Sequence, residues 1–308
     1  MTQQTHAHDR RVCSLLIQVF MALGTVSAVA QEKLPSPADA TEVAHIEQKK
    51  ADLRRQFMIQ ACNTFEMRIG DGEQSAIAKM VPEPVQRWDN TIATVIDGVI
   101  TVYTRRSRPD VVAQFHIHQN RFVVNEFARI CDEPLHMSRH GRTVWNPAEK
   151  WSEFKPLPNA PSDAGKTPEL RLVQMRRQAE RFSIRDERDG KVETATTLRL
   201  MPQPVYRYQD EEDLIDGAMF LFVSGVDPQA VLLVELRKLP KEKPSWHYVL
   251  APVTIYELTA SLDSAVVWQK PRVNQFAAIN FPYFAGPYRP DPGDLDLGDL
   301  MPSGPAAR

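Results

Sequence analysis

Residues 82–88 read Pro82-Glu83-Pro84-Val85-Gln86-Arg87-Trp88, and residues 202–208 read Pro202-Gln203-Pro204-Val205-Tyr206-Arg207-Tyr208. Downstream come Ile96-Asp97-Gly98 and Ile215-Asp216-Gly217, each followed by an apolar run and then a turn containing a proline, Pro109 or Pro228. The next segments align as Val112–His118 against Val231–Arg237, and both halves close on a Val-Trp pair, Val144-Trp145 and Val267-Trp268. Upstream, Asp71-Gly72 matches Asp189-Gly190. The offset stays between 118 and 123 throughout. Matches in order at one spacing are what an internal duplication leaves behind.

Each half opens with a helical pattern. Ile46, Leu53, Phe57, Ala61 and Phe65 recur at helical spacing over residues 43–68, and Leu172, Met175, Ala179 and Phe182 do so over 168–186, with Thr167 as N-cap before Pro168. The period then changes to two. Val99 to Tyr103 alternates, Ala218 to Val223 is continuously apolar, and Val231–Leu236, Tyr248–Leu258 and Ala265–Trp268 follow at short intervals. Strands this close, joined without helices, make an antiparallel meander, and the continuous run suits a strand covered on both faces. The expected fold class is therefore α+β: two tandem copies of a helix packed on a curved antiparallel sheet of four to six strands. The order of elements resembles the cystatin-like and NTF2-like helix-on-sheet folds.

The boundaries follow. Residues 1–30 read as a signal peptide: Arg10-Arg11 precede an apolar stretch from Val12 to Val29, and Ala28-Val29-Ala30 suits a signal peptidase. Residues 31–41 are a linker, 42–150 the first copy, 151–167 a Pro-rich linker pinned by Trp151 and Phe154, 168–279 the second copy, and 280–308 a Pro- and Asp-rich tail expected to be disordered. The implied location is exported, periplasmic or secreted, with no membrane span after cleavage. A net charge of −2 gives no electrostatic reason to expect nucleic acid as a partner.

The stretches Pro204-Val205-Tyr206-Arg207-Tyr208, Ile215–Phe220, Gly225-Val226-Asp227-Pro228, Glu153–Pro156 and Arg171–Arg176 resemble those of uncharacterised exported bacterial proteins. That resemblance covers most of the chain after residue 30 and implies no activity.

Several residue sets carry chemistry worth weighing. His116 and His118 lie two apart on a strand and point to one face, with His136 and His140 further on; imidazoles so placed can bind zinc or copper. The second half has Glu235 and Arg237 at the positions of His116 and His118, which instead suggests a polar, solvated sheet face. Asp97 and Asp216 can serve as general bases if buried, but Asp-Gly is also a frequent turn or bulge pair. Trp88, Tyr206, Tyr208 and Trp246, with Tyr248, can line a ligand groove or pack across strands. Asp291, Asp294, Asp296 and Asp299 lack the spacing of a calcium loop. Cys62 and Cys131 can form a disulfide worth about 4 kcal/mol or remain two buried thiols. No catalytic, phosphate-binding or dinucleotide motif is present, so no catalytic residue and no cofactor is assigned. The reading that results is an exported, non-catalytic interaction or binding module for an unknown protein or small-molecule ligand. Its alternatives are a carrier with an apolar pocket between helix and sheet, and a metal-dependent or carboxylate-based enzyme.

Overall fold

The computed structural model describes residues 37–188, 194–210, 213–238 and 243–302. The signal-like segment and Asp189-Gly190 lie outside them. Helix α1 (Pro37–Asn63) leads into β1 (Phe65–Ile69), β2 (Ala76–Met80), β3 (Gln86–Asn90), β4 (Val95–Thr104), β5 (Pro109–His118), β6 (Val123–Arg129), β7 (Leu135–Arg139) and β8 (Arg142–Trp145). After the short β9 (Lys155–Pro156), the second half runs α2 (Pro168–Ala179), β10 (Phe182–Glu187), β11 (Thr196–Thr197), β12 (Arg199–Leu200), β13 (Tyr206–Tyr208), β14 (Leu214–Ser224), β15 (Asp227–Arg237), β16 (Ser245–Pro252), β17 (Glu257–Leu262) and β18 (Ala265–Lys270), before a last strand β19 (Tyr283–Pro287).

This is a mainly β protein, 45% strand and 15% helix, and the expected α+β class of two helix-on-sheet copies is wrong. Eight strands of the first half and β19 form a nearly closed, barrel-like antiparallel sheet, in the order β19-β6-β5-β4-β2-β1-β7-β8 with β3 on β4. The second half, with β9, forms a six-stranded sheet in the order β12-β14-β15-β16-β9 with β13 on β14, and a separate four-stranded sheet carries β11-β10-β17-β18. Two misjudged boundaries account for part of the error. Both helices stop early, because Phe65-Glu66-Met67-Arg68-Ile69 and Phe182-Ser183-Ile184 alternate buried and exposed positions, which is a strand period.

The long strands are buried on both faces. In β5, Val111, Ala113, Phe115 and Ile117 join an outer core with Phe57, Met58 and Ala61 of α1 and Phe65 and Met67 of β1. On its other face Val112 joins Ile100, Met219, Leu221, Val231, Leu233 and Val249, a core shared by the two large sheets. Phe220, Leu232 and Val234 alternate away from that core to meet Met175 and Ala179 of α2. The apolar run at 218–223 is continuous for this reason. Each buried Leu, Phe or Val side chain contributes about 1.5–3 kcal/mol, so the shared core is what holds the two halves as one body.

The tail is not disordered through residue 302. Strand β19 pairs with β6 from Tyr283↔Ala128 to Pro287↔Val124. Leu300 is fully buried in the outer core, and its carbonyl accepts from Arg54 at 2.8 Å. Asp291 takes Arg139 at 2.8 Å, while Asp294 and Asp296 accept from the backbone N–H groups of Asp291 and Gly298, so these carboxylates order the tail. Cys62 and Cys131 are both free and buried. Burial raises both thiols, Cys131 to about 12. No helix among the described residues is long and apolar enough to cross a membrane.

Candidate functional site

Asp97 and Asp216 do not mark turns. Each sits within the first residues of a long strand, where the register shifts between Val95 and Asp97 against β5 and between Leu214 and Asp216 against β15. That shift is a β-bulge, one of the two structural readings open to an Asp-Gly pair. The bulge turns Asp97 toward two guanidinium groups, Arg54 of α1 at 3.0 Å and Arg87 of β3 at 2.8 and 2.5 Å. Asp216 is held identically, by Arg171 of α2 at 2.7 Å and Arg207 of β13 at 3.0 and 2.7 Å. Both carboxylates are buried, and each accepts three charge-assisted bonds from two guanidinium groups. They clamp helix to sheet.

The glycine of each pair has a steric role. A Cβ on Gly98 would come within 2.5 Å of the Trp88 ring, and one on Gly217 within 2.5 Å of the Tyr208 ring. Trp88 and Tyr208 are therefore packing partners of glycine within the inter-sheet core. Tyr206 stacks on Tyr208 with centroids 5.6 Å apart, and its hydroxyl donates to the Ser107 carbonyl at 3.0 Å. Trp246 faces the opposite way, into the outer core of the second half. The four aromatics do not share one groove.

The expected solvated face around His116 is buried as well, because the second sheet packs over it. His116 is 9% exposed and 5.6 Å from the Trp88 ring, and His118 lies 5.0 Å from His116. Burial, reinforced by His118, pushes the His116 imidazole down to about 3, so it is neutral at pH 7. The other two histidines are elsewhere. His136 contacts Thr143 at 3.0 Å, and His140 contacts Asp291 at 2.9 Å. In the sheet, β7 is separated from β5 by β4, β2 and β1. Among the described residues no group of three or more His, Cys, Asp or Glu is arranged to hold a metal.

The two histidines instead line a cavity of about 220 Å³ between the large sheets. Strand β5 contributes Gln114, His116 and His118, and β6 contributes Val124 and Glu126. From the other half come Asp227 and Gln229 of β15 and the 253–256 segment, while Trp88 and Phe276 complete the wall. Polar side chains here are buried yet incompletely paired. The Gln114 amide N–H donates to Glu126 at 3.1 Å, and that of Gln229 donates to the Asp227 carbonyl at 3.3 Å. Both amide oxygens, His116 Nδ1 and Trp88 Nε1 have no protein partner. Such atoms cost about 1–3 kcal/mol each unless something fills the need.

The charges around the cavity are strained in the same sense. Burial pushes Glu126 up to about 8 despite Lys270, and Asp227 up to about 6 despite Arg188, which lies 3.6 Å away. Lys270 is fully buried behind the wall, donating to the carbonyls of Thr254 at 2.7 Å and Tyr256 at 2.6 Å, and burial lowers it to about 7. Perturbed groups of this kind collect at functional sites.

At the opposite end of the inter-sheet core the arrangement is closed. Arg108, from the β4–β5 hairpin, reaches Glu235 at 3.1 Å and Asp213 at 3.3 Å; Tyr208 donates to Glu235 at 3.1 Å, and Arg237 reaches Asp213 at 2.9 Å. The guanidinium groups of Arg108 and Arg237 lie 5.7 and 5.1 Å from the Phe154 ring centre.

Sequence reasoning found His116, His118 and Trp88 but missed Gln114, Glu126, Asp227 and Gln229. A signal was present: Gln114 and Glu126 are in phase with Val112 and Ala128, the apolar positions of the buried inter-sheet face. No protein-family model, curated protein or solved structure matches this chain.

Proposed function

We propose that the protein is an exported binding protein that takes a small polar molecule into the cavity between its two large sheets. The observation that carries the reading is a partly open cavity lined by residues with buried polar atoms that lack partners, the Gln114 and Gln229 amide oxygens and His116 Nδ1. Binding pockets combine apolar walls with a few convergent polar groups, and Trp88, Val124 and Val253 supply the apolar part. At about 220 Å³ the space falls below that of drug-sized pockets, about 300–1,000 Å³. The ligand is correspondingly small. An apolar pocket between helix and sheet is not supported, because Phe57, Met58, Phe115 and Phe127 fill that layer. Export rests on the basic pair Arg10-Arg11 and the apolar run that follows.

Ligand-observed NMR with a set of small cationic, neutral and anionic fragments tests the reading. Val124→Phe places a ring into the cavity from a half-buried position. Some fragments should bind the native protein and lose binding to this variant. An absence of binders, or binders indifferent to Val124→Phe, would remove the proposal.

A further inference from the structure

The two ends of the inter-sheet core differ in the charge that each hairpin delivers. At the closed end the β4–β5 hairpin inserts Arg108, whose guanidinium answers Glu235 and Asp213 of the opposite half. At the cavity end the corresponding residue of the β14–β15 hairpin is Asp227, directly before Pro228 as Arg108 is before Pro109. It brings a carboxylate to a wall that already holds Glu126. Around the cavity the groups without a partner are mainly acceptors. The amide nitrogens of Gln114 and Gln229 are turned toward Glu126 and the Asp227 carbonyl, and the two amide oxygens are buried without a partner. One end thus pairs an inserted cation with two carboxylates, while the other gathers the carboxylates of Glu126 and Asp227 at a cavity wall, with Arg188 3.6 Å from Asp227.

We infer that this cavity takes a small organic cation, an amine or amidinium, whose N–H groups donate to Glu126, Asp227 and the free amide oxygens of Gln114 and Gln229. The inference rests on reading the cavity as a binding site. Trp88 and Val124 supply apolar surface for the alkyl part of such a ligand. Neutral His116 does not repel it. The cations that face the carboxylates are Lys270 toward Glu126 and Arg188 toward Asp227; neither is among the residues lining the cavity. Glu126 also faces Gln114, Tyr283 and Asp227, and Asp227 also faces Asn90, Gln229 and Asp186. A bound cation favours the ionised forms of both carboxyls, so it expels protons near neutrality and binds more tightly as pH rises from 6 to 8. Deprotonation of Lys270, at about 7, acts in the same direction.

Titration calorimetry of the full chain with three probes of similar size, butylammonium, 1-butanol and butyrate, decides the matter. Butylammonium should bind at least tenfold more tightly than the other two. Its affinity should fall at least tenfold in Glu126→Gln and in Val124→Phe, and rise between pH 6 and 8, with a heat that depends on the buffer's ionisation enthalpy. Asp227→Asn serves as the second carboxylate variant if Glu126→Gln does not fold. Equal or tighter binding of butanol or butyrate, abolished by Val124→Phe, would overturn the cation inference and leave the cavity reading standing. No binding by any probe or fragment, or binding indifferent to Val124→Phe, would overturn both.

Discussion

The Trp88 ring lies so close over Gly98 that a Cβ at that glycine would come within 2.5 Å of its Cε2 atom. Tyr208 covers Gly217 in the same way. Gly98→Ala and Gly217→Ala should each destabilise the fold by about 1–3 kcal/mol through overpacking. In denaturant unfolding, the double variant Gly98→Ala, Trp88→Leu should be less unstable than the sum of its parts. Additive losses would mean that ring and glycine do not share one space.

Asp97 joins Arg54 of the helix to Arg87 of the neighbouring strand, and removing it leaves the buried Arg54 charge without its carboxylate. Asp97→Ala and Asp216→Ala should each cost about 3–5 kcal/mol. Arg87→Ala should cost less, since that side chain is 35% exposed. Neither Asp variant, where it folds, should abolish ligand binding in the cavity. Full stability of Asp97→Ala by urea titration would refute the clamp.

The folded state holds a proton on Glu126 up to about pH 8, whereas the unfolded chain releases it near 4.5. Between those values the folded form binds more protons, so this contribution to stability is complete below 4.5 and lost as pH rises through 8. The limiting slope is about 1.4 kcal/mol per pH unit. Asp227 acts likewise from 3.8 to about 6. Lys270, lowered to about 7, opposes the trend above that pH. Glu126→Gln should therefore gain stability relative to the native protein as pH goes from 5 to 8. Parallel stability curves for the two would exclude a raised Glu126.

Leu300 anchors the C-terminal segment in the outer core, and its carbonyl receives Arg54. Leu300→Ala should cost about 2–5 kcal/mol, the range for emptying a buried leucine site. Limited proteolysis should then cut within 288–302 before any other site. Unchanged stability and cleavage would show that the tail is not part of the core.

In a chain carrying Cys13→Ser, Cys62 and Cys131 should resist alkylation in the native state and react as two free thiols in denaturant. Their burial and raised pKa values leave almost no thiolate at neutral pH. A mass two hydrogens lower after denaturation, with no alkylation, would indicate a disulfide.

Some features were legible because local chemistry alone produces them. Thr167 caps α2 by accepting from the Leu170 N–H at 3.4 Å, as a threonine before Pro168 suggests. The hairpins at Pro109 and Pro228 and the meanders β4–β5–β6 and β14–β15–β16 follow from period and turn residues. The extent of the sheets was not legible. Strand β1 joins its hairpin partner β2 to β7 through the distant register Phe65↔Arg139 to Ile69↔Leu135, a pairing that no local pattern announces.

The amino-acid sequence by itself determined the long strands of the two meanders, the paired landmarks of the two halves and the places where polar residues break apolar runs, because each depends on side-chain period or turn geometry over a few residues. Only the tertiary structure decided what those polar residues meet. A strand's two faces alternate whatever covers them, so His116 and Glu235 read alike as exposed until a second sheet is laid over both. That packing put Arg108 beside Glu235 at one end of the core and Asp227 at the cavity near His116 at the other.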